Sequence, residues 1–348
     1  MSNSKLKNAT IFLLFISLLF FGLVIARGFL VPLFVAIIFA YLLYPLTSFL
    51  EKKKFKRVFA SILGIFLLFS IIIVFFGFVF AKVHQILAEG IDIIAQSSEN
   101  LRQMELFVLN TFGISIENQN LWLNNLVSNL MDSSNDFSKR FFTATAQTLF
   151  QIGMIPVFIF YFLQYREKFG TFIYEMANER HKEITEEFLK TVSFVTPRYI
   201  GGVFMVVSIL AVINSVGLLI IGLKYAVFFG VISAIFNFIP YFGTWIGAAF
   251  PILFALLTSD SPTQVLYVIL LFVVVQFTEN NILTPNITGS YVNINPLFTI
   301  LGIMLGGVVW GIAGMFVVIP IMATLKIYCD FFPNLQPIGR LLGTPTKK

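Results

Sequence analysis

The sequence predicts an all-α protein: a polytopic helical bundle in a membrane, with about eight transmembrane helices, broken or re-entrant segments and amphipathic helical insertions. Three observations predict it. Hydrophobic residues fill 58% of the 348 positions and charged residues only 11%, less than half the share in an ordinary soluble domain. Mean hydropathy is +0.90. Runs such as "ATIFLLFISLLFFGLVIA" and "VFASILGIFLLFSIIIVFFGFVFA" reach the roughly 20 residues that a helix needs to cross bilayer hydrocarbon.

In chain order the apolar spans fall at 10–26, 29–50, 58–81, 143–164, 199–222, 225–258, 264–283 and 296–325. The first competes with a cleavable signal peptide. No small-residue cleavage site precedes Arg27 and a second span follows at once, so it is expected to remain a helix. The 225–258 stretch is interrupted by "NFIPYFG" and is compatible with one broken helix, a re-entrant pair or two short spans; counted once, it brings the total to eight.

Charge orients these spans. Lys5 and Lys7 precede the first, and "EKKKFKR" (51–57) puts five basic residues after the second; such loops stay cytoplasmic because Lys and Arg resist translocation. Three crossings then place 82–142 outside, where seven acids face four bases. The fourth span returns inward, and an even count leaves Lys347 and Lys348 inside. The expected organisation is an N-terminal three-helix membrane segment (1–81), an external amphipathic helical segment (82–142), a fourth membrane helix (143–164), a cytoplasmic amphipathic segment (165–198), a C-terminal transport core (199–326) and a cytoplasmic tail (327–348).

Both amphipathic segments carry helical stripes: Val83, Ile86, Leu87, Ile91 and Ile94, with Leu123, Leu126 and Leu130, outside; Ile184, Phe188, Val192 and Val195 inside. The first reads as a helical cap on the bundle or membrane surface, the second as an interfacial helix or a contact with a neighbouring subunit. Homo-oligomerisation is therefore expected. Pro197 is expected to end the inner helix.

Several chemistries are excluded or disfavoured. Cys329 is the one cysteine, so no intrachain disulfide forms. His84 and His181 lie in separate polar segments, which disfavours a metal site. No Walker A pattern, dinucleotide fingerprint or zinc spacing occurs, and no nucleophile–base pair stands out. The chain is expected to be neither an enzyme nor a holder of cofactor or metal. Its net charge of +6 is explained by cytoplasmic loops rather than nucleic-acid binding.

The informative polar residues sit among the oil. Between Lys224 and Lys326 the chain has two acids, Asp260 and Glu279, and no base. Asp260, in "TSDSP", reads as a solvated turn. Glu279 closes "VLYVILLFVVVQF", and an ionisable group at membrane depth usually faces a cavity or carries function. Gln276, Glu279, Asn280 and Asn281 together supply one carboxylate and three amides, a candidate site for a polar solute or ion. Pro285 disfavours helix at Thr284 and Gly289 follows, so the backbone is expected to unwind there. A second break, "FNFIPYFGTWIG", carries Asn237, Pro240, Tyr241 and Gly243; Asn295 and Pro296 open a third, whose glycines from Gly302 to Gly314 permit close helix packing. Paired interrupted helices are how many secondary transporters build a site.

"GLKYAVFFGVISAIFNFIPYFGTWIGAAFP", "QFTENNILTPNITGSYVNINPL" and "GGVVWGIAGMFVVIPIMATLK" closely resemble the autoinducer-2 exporter family of bacterial transporters. The resemblance covers the whole chain in layout and 199–326 in motif. The family's Ile-Pro-Tyr turn is matched by Ile239, Pro240 and Tyr241, with Gly243 and Gly247 after it. Its Glu-Asn-Asn and Thr-Pro are matched by Glu279, Asn280 and Asn281 and by Thr284 and Pro285. Its later His-Pro-Leu appears as Asn295, Pro296 and Leu297, which removes a titratable group, and Asn286 stands where many members have a lysine. The resemblance implies a secondary transporter in the bacterial cytoplasmic membrane. It would export a small polar solute such as the quorum-sensing autoinducer-2. On the residues themselves, Gln276, Asn280 and Asn281 would hydrogen-bond hydroxyls of the solute and Glu279 would bind or exchange a coupling proton. Sodium(lithium)/proton antiport is the alternative that other relatives imply, and a non-transporting scaffold is a third reading.

Overall fold

A computed structural model describes residues 3–96, 106, 109–110, 113–119, 121, 125, 146–240, 242–259, 261–288 and 293–344. Among these the ordered elements are all helical. They are α1 (Asn3–Ile25), α2 (Arg27–Lys52), α3 (Arg57–Gln96), α4 (Ala146–Met176), α5 (Lys182–Ile221), α6 (Ala226–Phe236), α7 (Phe242–Thr258), α8 (Pro262–Thr278), a π-helical turn (Glu279–Leu283), α9 (Thr284–Ile287), α10 (Pro296–Phe331) and α11 (Gln336–Leu342). Among the described residues, five helices are long and apolar enough to cross a membrane. Their outward faces stay oily: Ile73 and Val74 on α3 are 69% and 71% exposed. An apolar surface this extensive requires hydrocarbon rather than water around it.

Helix starts follow local chemistry. Ser261 caps α8 by accepting from the Thr263 amide at 3.2 Å, and Asn295 caps α10 by accepting from the Leu297 amide at 3.0 Å. Each cap is followed by proline at the first helical position, where the missing N–H costs nothing. Asn295 and Pro296 therefore begin a helix rather than break one. Pro197, expected to end a helix, lies inside the 40-residue α5. The span at 58–81 and the first external stripe form one continuous 40-residue helix, α3. Leu123, Leu126 and Leu130 lie outside the described residues.

The interrupted 225–258 segment folds as a helical hairpin. Gly243 and Gly247 on α7 are pressed against the carbonyls of Phe236 and Ser233 on α6, where a Cβ would come within 1.8 and 2.6 Å of the oxygens. Further from the turn, Phe250 stacks on Phe236 and Phe254 packs on Phe229, with ring centroids 5.5 and 4.8 Å apart. This pairing runs antiparallel, so the chain leaves on the side from which it entered. Arms of 11 and 17 residues are about 16 and 26 Å long at 1.5 Å per residue.

The last apolar stretch, expected as one span, is also a hairpin. At Gly311 the backbone takes φ 64°, ψ −144°, a region essentially reserved for glycine. The helix reverses there: Gly302 abuts Met322 and Val318, Gly306 abuts the Gly314 backbone, and Gly307 abuts Met315. A straight helix would separate residues 302 and 322 by about 30 Å. The two arms, 296–310 and 312–331, thus pack along the glycines that the sequence reading assigned to close helix contacts. At the hairpin's base the Asn295 amide donates to the Leu342 carbonyl at 2.7 Å, tying α11 to it.

The chain divides into two compact units. One comprises Met1–Leu68, Phe150–Met205 and Thr284–Lys348; the other comprises Phe69–Leu149 and Val206–Leu283. In the first, Ile38 of α2, Ile200 of α5 and Val317 of α10 form a buried core, and the Trp310 indole donates to the Leu23 carbonyl at 3.0 Å. Arg166 forks onto both oxygens of Glu51 at 3.1 and 2.6 Å, and Arg57 bonds Glu167 at 2.6 Å. The basic loop at 51–57 and the polar end of the fourth span therefore share one side of this unit. Phe188 meets Tyr328 and Phe331 edge-on, so part of the 184–195 stripe is covered from within the chain.

In the second unit, Leu218, Phe228, Phe229, Ala255, Val268 and Phe272 form the core, with Phe78, Val79, Val83 and Ile86 of α3 against it. Glycines set the helix crossings: Gly230 of α6 lies against Ser215, and Gly217 of α5 against Leu271. At one edge Glu89 accepts from Lys224 and from the Tyr225 hydroxyl.

Candidate functional site

The hairpin tip and the end of α8 build the site in the second unit. Pro240 sits in the turn after α6, and Gly243 lets α7 start against the Phe236 carbonyl. That tight turn places Asn237 and Thr244, seven residues apart, side by side: the Thr244 hydroxyl donates to Asn237 Oδ1 at 3.0 Å. With its oxygen so engaged, Asn237 presents Nδ2, which donates to Glu279 Oε1 at 2.6 Å. One arm deeper, the buried Ser233 hydroxyl donates to the Gly247 carbonyl at 2.6 Å and locks the arms together.

The expected unwinding at Thr284–Pro285 does not occur. Glu279–Leu283 widens into a π turn and Thr284–Ile287 continues as α-helix. A π turn shifts the hydrogen-bond register by one residue, and this one lies directly before Pro285, whose ring nitrogen has no proton to donate. The Asn281 side chain donates Nδ2 to the Phe277 carbonyl at 2.8 Å. π turns of this kind recur at functional sites; here the turn starts at the carboxylate itself.

Around Glu279 lies a cavity of about 10 Å³, lined by Asn214, Ser233, Asn237, Thr244, Gln276 and Glu279 on its polar side and by Leu210, Phe272 and Val275 on its apolar side. That is room for one water-sized particle. Two buried amide oxygens there, Asn214 Oδ1 and Gln276 Oε1, have no hydrogen-bond partner. Gln276 donates instead to Asn280 Oδ1 at 2.9 Å. Among the described residues no ion pair involves Glu279, and the sequence from 225 to 325 contains no base. The carboxylate is thus half-buried, held by amides, beside two oxygens that need a donor or a cation.

Of the four residues singled out as binding groups, Gln276 and Glu279 line this cavity, whereas Asn280 and Asn281 are exposed. Asn237, read as a break, is a direct partner of the carboxylate. Asn295 and Pro296 lie in the other unit as a helix cap, and Tyr241 and Gly289 lie outside the described residues. Asn214, Ser233 and Thr244 were not singled out. Asn214 was within reach: it is buried in the oily run "MVVSILAVINSVGLLI", where a lone amide carries the same cost that drew attention to Glu279. Among the described residues no group of three or more His, Cys, Asp or Glu could hold a metal.

A family model described as AI-2E family transporter matches residues 13–334. YrrI of Bacillus subtilis (strain 168), named for transport, is 29% identical over 331 residues, 91% of this chain and 90% of its own length. YueF of the same strain, likewise named for transport, is 28% identical over 343 residues, 95% of this chain and 88% of its own. PerM of Escherichia coli (strain K12), named as a permease, is 24% identical over 183 residues, about half of each chain.

Proposed function

This chain belongs to the AI-2E family of transporters, and from that premise we propose that it is a secondary transporter in which Glu279 binds and releases the coupling ion, a proton or a sodium-sized cation. It is a multi-pass membrane protein whose family moves molecules across membranes. The observation that carries the ionic reading is the pairing of an unneutralised carboxylate with two unpartnered buried oxygens in a cavity that fits one water. A lone buried charge is costly without a counter-charge, and neutral amides do not supply one. A proton on Glu279 removes the charge. A dehydrated cation would instead be met by Glu279, Asn214 Oδ1 and Gln276 Oε1, oxygen donors suited to hard ions.

Export of a small polar solute such as autoinducer-2 is the second reading, favoured by the family description. The cavity is too small for such a solute in this conformation, so that reading requires the hairpin to part from α8. Asn280 and Asn281, exposed beside the cavity, would then supply hydrogen bonds to hydroxyls.

We place both termini on the cytoplasmic side of a bacterial inner membrane. The basic residues at 5–7, 51–57 and 347–348 support that side, because Lys and Arg resist translocation. The test is ion flux in proteoliposomes with wild type and Glu279→Gln at equal protein. Sodium, lithium and autoinducer-2 are each added to an imposed pH gradient. Dissipation by one of them that is lost in Glu279→Gln is the expected result and identifies the exchanged species. Undiminished flux in the variant overturns the role of Glu279.

A further inference from the structure

The turn between α2 and α3 joins two helices long and apolar enough to span, so it lies at the headgroup plane. Its charges divide into two sets. Glu51 and Arg57 turn inward: Arg166 of α4 forks onto Glu51, Arg57 approaches the same carboxylate at 3.7 Å, and Arg57 also bonds Glu167. These two acids and two arginines neutralise one another. Lys52, Lys53, Lys54 and Lys56 are all exposed, and among the described residues no ion pair includes them. Four positive charges within five positions are left without a counter-charge from the protein.

The backbone makes one of these positions an unfavourable place for a lysine. The Lys54 amide donates to the Glu51 carbonyl at 2.9 Å and the Phe55 amide to the Leu50 carbonyl at 3.2 Å. This closure of α2 holds Lys54 at φ 68°, the left-handed position at which glycine is ordinarily found. Aromatic rings flank the lysines. Lys53 Nζ lies 4.6 Å from the ring centroid of the exposed Phe49, and the exposed Phe55 and Phe59 stack with centroids 5.6 Å apart. On α4, one residue past Glu167, Lys168 lies over the Tyr165 ring at 5.0 Å. Aromatic rings at the end of a span settle at the membrane interface, and lysines beside them extend their ammonium groups among the headgroups.

We propose that the α2–α3 turn binds an anionic phospholipid, its phosphate held by the unpaired lysines at 52–56 and its upper acyl chains packed on Phe49, Phe55 and Phe59. Charge complementarity selects this occupant: four or more lysines at the end of a span attract negatively charged headgroups, and a zwitterionic headgroup has no net charge to match them. A soluble anion would use the lysines and leave the rings without a role.

The test uses the full chain in phosphatidylcholine nanodiscs containing a trace of one of two probes, phosphatidylglycerol or phosphatidylcholine, each bearing a diazirine near the top of one acyl chain. Adducts on residues 49–59 are mapped by mass spectrometry. The expected result is about ten-fold stronger labelling by the phosphatidylglycerol probe in wild type. Lys54→Gly removes one charge and suits the left-handed backbone, so the preference should fall about five-fold while the thermal midpoint is not lowered. Lys52→Gln, Lys53→Gln, Lys54→Gln and Lys56→Gln combined should bring the two probes to parity, and arginine at the same four positions should keep the preference. Equal labelling by both probes in wild type, or an undiminished preference in the four-glutamine variant, overturns the proposal. Loss of phosphatidylglycerol labelling to inorganic phosphate at constant ionic strength overturns it too, by showing that the turn binds a soluble anion. Should the four-glutamine variant fail to fold, Lys54→Gly decides: an unchanged preference there refutes the site.

Discussion

Replacing Asn237 by alanine tests the site most directly. The bond from Asn237 Nδ2 to Glu279 Oε1 is short, 2.6 Å, and it joins an amide to a half-buried carboxylate in a small cavity. A hydrogen bond to a charged group contributes about 1.5–3 kcal/mol, and about 1.4 kcal/mol is a factor of ten. Transport measured below saturation should therefore fall roughly 10- to 150-fold in Asn237→Ala. Thr244 acts one step back, holding Asn237 by a neutral bond of 3.0 Å that contributes about 0.5–1.5 kcal/mol. Thr244→Val should then lose only about 2- to 12-fold. The assay is the initial rate of ion-gradient-driven flux in proteoliposomes, with folding checked by monodispersity. Two results refute the reasoning: a rate in folded Asn237→Ala within two-fold of wild type, or a larger defect in Thr244→Val than in Asn237→Ala.

Asn281→Ala removes an exposed amide that serves only the Phe277 carbonyl, so the same flux assay should find it within about three-fold of wild type, in line with one neutral bond. Gly311→Ala places a side chain at φ 64°, ψ −144°; this strain, about 1–3 kcal/mol, should lower the thermal midpoint measured in detergent although no atom lies in the way. The Glu89 carboxyl is held down at about 2 by its hydrogen bond from Lys224, then by those from Tyr225 and Gln85. It is depressed in the folded state, so its contribution is present above the ordinary carboxylate range and disappears as pH falls from about 4.5 towards 2. Protection factors along 82–89, with the intrinsic pH dependence of amide exchange divided out, should fall across that window in wild type and stay level in Glu89→Gln. Arg166→Ala breaks a two-pronged, partly buried pair with Glu51 and should cost about 1–3 kcal/mol, softened by Arg57 at 3.7 Å from the same carboxylate; unfolding in mixed micelles measures it.

The sequence by itself determined the helical membrane class and drew attention to Glu279, because both rest on terms local to the chain. Hydrocarbon length decides what can cross a bilayer, and a lone acid among apolar residues carries its cost wherever the chain folds. The caps at Ser261 and Asn295 are equally local, being hydrogen bonds across two residues. Only the tertiary structure decided that residues 225–258 and 296–331 turn back, since a straight apolar helix and a hairpin have the same composition. The difference lies in the long-range approaches of Gly243 to Phe236 and of Gly306 to Gly314. The chain also stayed helical through Pro285, entering it by way of a π turn at Glu279–Leu283. Finally, the amide that reaches Glu279 is Asn237, 42 residues away, rather than the adjacent Asn280. A helix projects neighbouring residues about 100° apart, so nearness in sequence kept Asn280 off the cavity, while the antiparallel hairpin brought Asn237 onto it.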